Sequence, residues 1–142
     1  MGRLTSSVKR LFLRISSQMP ETRTAQINLT DDGIVVVRVR PGARQSMTDA
    51  GENLAAAVTQ TGGLRRPLLV DIRGAQPLAA DVRRQYAGQI VVTAFSALAL
   101  LIEGSTFGRM MGNVYFSVAQ LAIPMKMFVD ESQALEWLKE LT

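Results

Sequence analysis

Hydrophobic positions along this chain recur at two different spacings, and each change of spacing marks an element boundary. Residues 4–15 place Leu4, Val8, Leu11, Phe12 and Ile15 on one helical face, with Arg3, Lys9, Arg10 and Arg14 mostly elsewhere on the wheel. The stretch from Ser16 to Thr24, broken by Pro20, reads as a linker. Two β-rich runs follow, Thr24 to Leu29 and Gly33 to Arg40, and the turn residues Thr30-Asp31-Asp32-Gly33 between them predict a hairpin. In the second run Val35, Val37 and Val39 share one side, while Ile34, Val36, Arg38 and Arg40 share the other. Pro41-Gly42 ends it.

Ser46 followed at the third place by Asp49 fits a capping box, and Met47, Ala50, Leu54 and Val58 then recur at helical spacing until Gly62-Gly63 stops the helix. Pro67 to Arg73 is a nearly continuous apolar run of the kind a buried central strand carries. From Leu78 to about Gly88 the spacing predicts a helix with Val82 and Tyr86 on one side and Arg83, Arg84 and Gln85 towards solvent. A strand over Ser96–Ile102 precedes the turn Glu103-Gly104-Ser105 and a helix over roughly 107–121. Pro124–Val129 is the last strand and Glu131–Leu141 the last helix, with Ala134, Leu135, Leu138 and Leu141 inward beside Trp137. The expected class is therefore α/β, an N-terminal hairpin followed by alternating strands and helices in a mainly parallel sheet with helical crossovers. Residues 1–20 divide off as a basic amphipathic helix and linker, leaving one domain over residues 21–142.

Composition narrows the chemistry. The 142 residues include no histidine and no cysteine, which removes imidazole and thiolate catalysis, disulfides and the usual zinc or iron ligands. No cofactor or metal is expected. Of the sixteen lysines and arginines, four lie in residues 1–20, so the rest of the chain sets twelve bases against twelve acids. A neutral domain without aromatic stacking platforms does not point to nucleic acid. The apolar run Gln89–Ile102 falls short of the ~18 residues a membrane span needs, and no signal-peptide pattern opens the chain, so a cytoplasmic protein is expected.

From about residue 24 onward, several stretches carry a resemblance. They are Leu98-Ala99-Leu100-Leu101-Ile102, then Phe107-Gly108-Arg109-Met110-Met111-Gly112-Asn113, then Pro124 to Glu131 and Ala134-Leu135-Glu136-Trp137-Leu138. Asp71 on its strand and the helix Val82-Arg83-Arg84-Gln85-Tyr86 fit the same scheme. Together they resemble the STAS/SEC14-like family, which shares the fold of the bacterial anti-sigma-factor antagonists. The resemblance implies a STAS-like fold and a non-enzymatic regulatory or ligand-binding module. It departs at one step. In the antagonist branch a serine at a helix start receives phosphate, whereas aligning Asp71-Ile72-Arg73-Gly74 with that strand brings Ala79 or Ala80 to the position. Neither carries a hydroxyl.

Three functions are open on these residues. The first is docking to a protein partner, within a homo-oligomer, through Leu4, Val8, Leu11, Phe12 and Ile15, with Arg83 and Arg84 on a second solvated face. The same basic helix could instead rest on an anionic membrane surface. The second is binding of a small apolar ligand or lipid against Met110, Met111, Tyr115 and Phe116, a soft group that Met125, Met127 and Phe128 would extend. The third is catalysis by Asp71, Asp81 or Tyr86 without a cofactor, against which stands the plain use of Asp81 in a first helical turn and of Asp71 as a partner for Arg73. The loop Gly104-Ser105-Thr106-Phe107-Gly108 could meet an anion but lacks the P-loop and dinucleotide patterns. An enclosed apolar cavity would favour the ligand reading and an exposed apolar patch the docking reading.

Overall fold

The computed structural model describes residues 20–105, 109 and 122–141. The predicted helix over 4–15 and, apart from Arg109, the one over 107–121 lie outside the described residues, and with them Leu4, Val8, Leu11, Phe12, Ile15, Met110, Met111, Tyr115 and Phe116.

The hairpin forms where the turn residues put it. β1 (Ala25–Leu29) pairs antiparallel with β2 (Val35–Val39), Ala25 opposite Val39. Gly33, at φ 84°, supplies the left-handed residue that closes the turn. Thr30 fixes the turn from both sides, its amide donating to the Ile34 carbonyl at 2.9 Å and its hydroxyl accepting from the Ile34 amide at 3.1 Å. α1 (Met47–Gln60) opens with the expected capping box: the Ser46 side chain accepts from the Asp49 amide, and the Asp49 carboxylate accepts from the Ser46 amide at 2.8 Å. It ends at Thr61, where Gly62 and Gly63 take φ values of 62° and 84° that no helix continues.

β3 (Arg66–Asp71), β4 (Phe95–Leu101) and β5 (Met125–Phe128) complete a five-stranded sheet whose spatial order follows the chain, β1-β2-β3-β4-β5. Only the β1–β2 pair is antiparallel. Proline lacks an amide hydrogen, and the β3–β4 register slips at Arg66/Pro67, where that donor is missing. Between β3 and β4 lie two short helices, α2 (Ala80–Tyr86) and α3 (Gln89–Ala94). The second is a correction: Gln-Ile-Val-Val-Thr-Ala is β-branched and runs without a break into β4, so its spacing gives no helical signal. It buries one residue, Val91.

The pleat sorts the core onto two faces. On one, Val35, Val37, Leu68 and Leu98 meet Leu54 and Ala57 of α1 and Val91 of α3. This is the face that right-handed crossovers require when parallel strands are laid down in one direction. On the other, Ile34, Val36, Leu69, Ala97, Ala99, Leu101 and Phe128 meet Ala134 and Leu138 of α4 (Glu131–Glu140). Phe128 tilts against Trp137 with ring centroids 5.6 Å apart. It therefore does not extend a group with Met125 and Met127, which pack on the opposite face. Leu141, expected inward, is 44% exposed beyond the end of α4. Among the described residues no helix is long and apolar enough to cross a membrane.

Candidate functional site

On the face covered by α1, α2 and α3, the side chains leave a cavity of about 60 Å³. Its walls are apolar: Val37 and Val39 of β2, Leu68 and Val70 of β3, Leu98 and Leu100 of β4 and Met125 of β5 form the floor. Leu54 and Ala57 of α1, Ala87 and Val91 close it from above. Four polar side chains also reach it, Gln45 before α1, Asn53 within α1, and Arg83 and Tyr86 of α2.

Three of the four are joined in one buried network. Asn53 Nδ2, with two hydrogens to give, lies within hydrogen-bond distance of Thr24 Oγ1 at 2.9 Å, Gln45 Oε1 at 3.1 Å and the Tyr86 hydroxyl at 3.0 Å. The Tyr86 hydroxyl donates in turn to Gln45 Oε1, and the Thr22 hydroxyl to Asn53 Oδ1. Burial pushes the Tyr86 hydroxyl up to about 12, against the hydrogen bond from Asn53 and with help from the charge of Asp49, so it stays a neutral donor across the physiological range. Asp49, one turn before Asn53 on α1, is buried too. Hydrogen bonds from the Arg23 guanidinium and the Ser46 amide hold its carboxyl well below the usual range.

Arg83 stands apart. Its Nη1 donates to the Leu78 carbonyl at 2.6 Å, but its Nε is buried and has no partner among the described residues. This revises the expectation that Arg83 and Arg84 share a solvated face. Arg84 is exposed, as expected, whereas Arg83 is half-buried and lines the cavity. Gln85, also expected in solvent, is half-buried with an unpartnered Oε1. The reason is position. α2 covers only residues 80–86, with Val82 buried and Ala80, Asp81 and Arg84 exposed, and Arg83 and Gln85 flank the buried side.

A second polar group lies on the α4 face, at the C-terminal ends of β2 and β3. Arg38 Nη1 bridges Asp71 Oδ2 at 3.1 Å and Glu131 Oε1 at 2.5 Å, while Arg73 grips Asp71 through Nε at 2.9 Å and Nη2 at 2.8 Å. Burial acts to raise the Asp71 carboxyl, but the hydrogen bonds and charges of Arg73 and Arg38 outweigh it and hold it low. Glu131 is held low chiefly by Arg38. Asp71 thus finds the Arg73 partner that its sequence neighbourhood offered. Asp81 does not join it: its Oδ1 accepts from the adjacent Val82 amide at 2.8 Å, at the start of α2. Among the described residues no group of three or more acids converges as a metal site.

Ala79 is the N-cap of α2 and Ala80 its first position, and no side chain caps that helix. Gln45 and Asn53 carry no motif. The signal that could have found Asn53 is its place in an i, i+4, i+8 stripe, Asp49-Asn53-Ala57, beside the apolar one.

Comparison with known proteins adds the family. Residues 27–142 match the family described as a domain of unknown function, DUF7793. The chain belongs to that family. The matched range contains every residue that lines the cavity. A crystal structure of an uncharacterised DUF3478 protein with a SpoIIAA-like fold, from Shewanella loihica PV-4, superposes with a TM-score of 0.57. The two are 17% identical, over 85% of this chain and 99% of that one. The DUF7793 domain here accordingly has a SpoIIAA-like, STAS-like fold. A protein of unknown function from Arthrobacter sp. fb24 is 27% identical over 84% of this chain and 95% of that one, with a TM-score of 0.32. No functionally curated protein matches the sequence.

Proposed function

We propose that this DUF7793 domain is a non-enzymatic binding module that takes the apolar part of a small molecule into the cavity between the sheet and α1–α3. The observation that carries this reading is the cavity itself, apolar on its walls and bordered by the Asn53–Gln45–Tyr86 network. Sites for small ligands combine apolar walls with a few fixed polar groups in this way. A volume of 60 Å³ is less than half that of the ~150 Å³ engineered cavity that takes benzene, so the part that enters is a short chain.

The distribution of charge favours binding over catalysis. A general acid or base works best with its pKa near the operating pH. Asp49, Asp71 and Glu131 are lowered, Arg23, Arg38 and Arg73 are raised and Tyr86 is raised, so every resolved shift runs away from neutrality. The fold similarity is consistent with a regulatory role. Docking to a partner, the other reading, would draw on the large exposed apolar residues of the described surface, Leu29, Met47, Leu64, Ile90, Val129 and Leu141. The part assigned to residues 1–18 rests on residues outside the described range.

Methyl-resolved NMR under xenon pressure, and with n-butanol, tests the reading. Concentration-dependent shifts confined to Val37, Leu54, Leu98 and Met125 are expected. An unresponsive set of these methyls would overturn it.

A further inference from the structure

We propose that the ligand is a small organic anion, a carboxylate on a short alkyl chain, and that Arg83 receives its charged end. The inference deepens the cavity reading and rests on it. Three observations lead to it.

The first is charge balance inside the cavity. Among the described side chains that line it, Arg83 is the one that carries charge, and no aspartate or glutamate is among them. A guanidinium is protonated at any pH a cell reaches, so the cavity wall holds a permanent cation without an acid.

The second is the unmet donor. A buried polar atom without a partner is costly and rare, and when one persists it calls for an explanation in a missing acceptor. Arg83 Nε is such an atom, in a cavity wall whose other polar side chains, Gln45, Asn53 and Tyr86, are bonded to one another and whose remaining lining is hydrocarbon. Packing voids left by imperfect fit between apolar side chains have no reason to contain one.

The third is how this protein uses its other guanidinium groups. Arg23 holds Asp49, and Arg73 holds Asp71, each through the same Nε and Nη2 edge, with one carboxylate oxygen on each nitrogen. That paired geometry is the strong, charge-assisted one. On Arg83 the other terminal nitrogen, Nη1, is already committed to the Leu78 carbonyl, which fixes the group and leaves the Nε edge to an outside acceptor. No acid pairs with Arg83 among the described residues.

The same features select against the alternatives. A phosphate or sulfate would surround itself with hydrocarbon walls on most sides, which a fully hydrated polyanion resists. A hydrocarbon would leave Nε as it is, and a neutral alcohol could accept from it but would leave the guanidinium charge uncompensated. An alkyl carboxylate places its tail against Val37, Leu68, Leu98 and Met125 and its head on the guanidinium. The neutral Tyr86 hydroxyl and the amides of Gln45 and Asn53 border the same space without opposing negative charge.

The experiment compares butyrate, butyramide and n-butanol by isothermal titration calorimetry and methyl NMR on the full chain, with Arg83→Gln and Arg83→Lys variants whose folding is checked by their amide spectra. Butyrate is expected to bind roughly tenfold to a hundredfold more tightly than the amide or the alcohol, the range of one charge-assisted hydrogen bond. Arg83→Gln should bring butyrate down to the level of butanol, with a much larger loss for butyrate than for butanol, and Arg83→Lys should recover part of the difference. Equal affinities for the three molecules, or butyrate binding that Arg83→Gln leaves intact, would overturn the assignment of an anion while the cavity reading stands. If neither butanol nor xenon reaches the cavity, the cavity reading fails and this inference goes with it. Should Arg83→Gln not fold, the ratio of butyrate to butyramide affinity on the unaltered chain decides the matter alone.

Discussion

Ala57 stands on α1 at 2% exposure, in the wall of the cavity, and replacing it with valine fills the space with two methyl groups. Removing a void is worth roughly 24 cal/mol per Å³, so 60 Å³ corresponds to about 1.4 kcal/mol if filled completely. An independent route through burial of two methyl groups, at about 0.8 kcal/mol each, gives a similar figure. Against it stands the cost of a β-branched residue in a helix interior, up to about 0.7 kcal/mol relative to alanine. The balance is a gain of about 1 kcal/mol, which in a domain of this size raises the melting temperature by roughly 3 °C. Differential scanning calorimetry and urea titration measure the first effect, and titration with butanol or butyrate measures the second. We expect a more stable protein that no longer binds either molecule, the usual opposition between a filled core and a working cavity. A loss of 1 kcal/mol or more would mean that the space cannot accept the side chain and that its shape has been misjudged. A more stable protein with undiminished binding would place the ligand elsewhere.

Other consequences follow from the polar contacts. Ser46→Ala removes the capping-box hydroxyl and should cost about 1 kcal/mol in urea unfolding with an unchanged slope. Asp49, Asp71 and Glu131 have folded-state pKa values below their unfolded ones, so the stability they confer is fully present above the unfolded carboxylate range near pH 4 and is lost as pH falls through the lower folded values; urea midpoints between pH 7 and 2 should drop on the acid side, and Arg38→Gln should blunt the drop. A flat profile would contradict the ion pairs. Of the two tyrosines, Tyr86 should ionise only near pH 12 in a spectrophotometric titration, and Tyr86→Phe should abolish that step and cost about 1 kcal/mol.

Much of the architecture is legible in the residues because strong local signals agree with one another. The Thr30–Gly33 turn, the Ser46–Asp49 box and the Gly62-Gly63 stop each have a mechanism that needs no distant contact, and the alternation of strand and helix after the hairpin then leaves the parallel order little freedom. The site is less legible, for a physical reason. Arg83 follows the buried Val82 and precedes Tyr86 by three, at the edge of the buried face of α2, so the helical period does not decide between water and cavity. Asn53 and Gln45 matter through partners at sequence distances of 29 and 41 residues, Thr24 and Tyr86 respectively, which no periodicity records. Phe128 shows the converse case: it neighbours Met127 in the chain, and the pleat sends the two to opposite faces.

The order of the sheet bears on how the chain assembles during synthesis. Because each strand pairs with the one before it, from β1 to β5, every strand finds its neighbour already made as it leaves the ribosome, and no later segment has to be inserted between earlier ones. The same order leaves one surface waiting. Ile34, Val36, Leu69, Ala97, Ala99 and Leu101 are covered by α4, whose residues follow all five strands, so this apolar surface stays bare until translation has passed Glu140. A nascent chain stalled before α4 would present that surface to chaperones and to other chains, and the Arg38–Glu131 contact would act as the latch that closes it when the helix arrives.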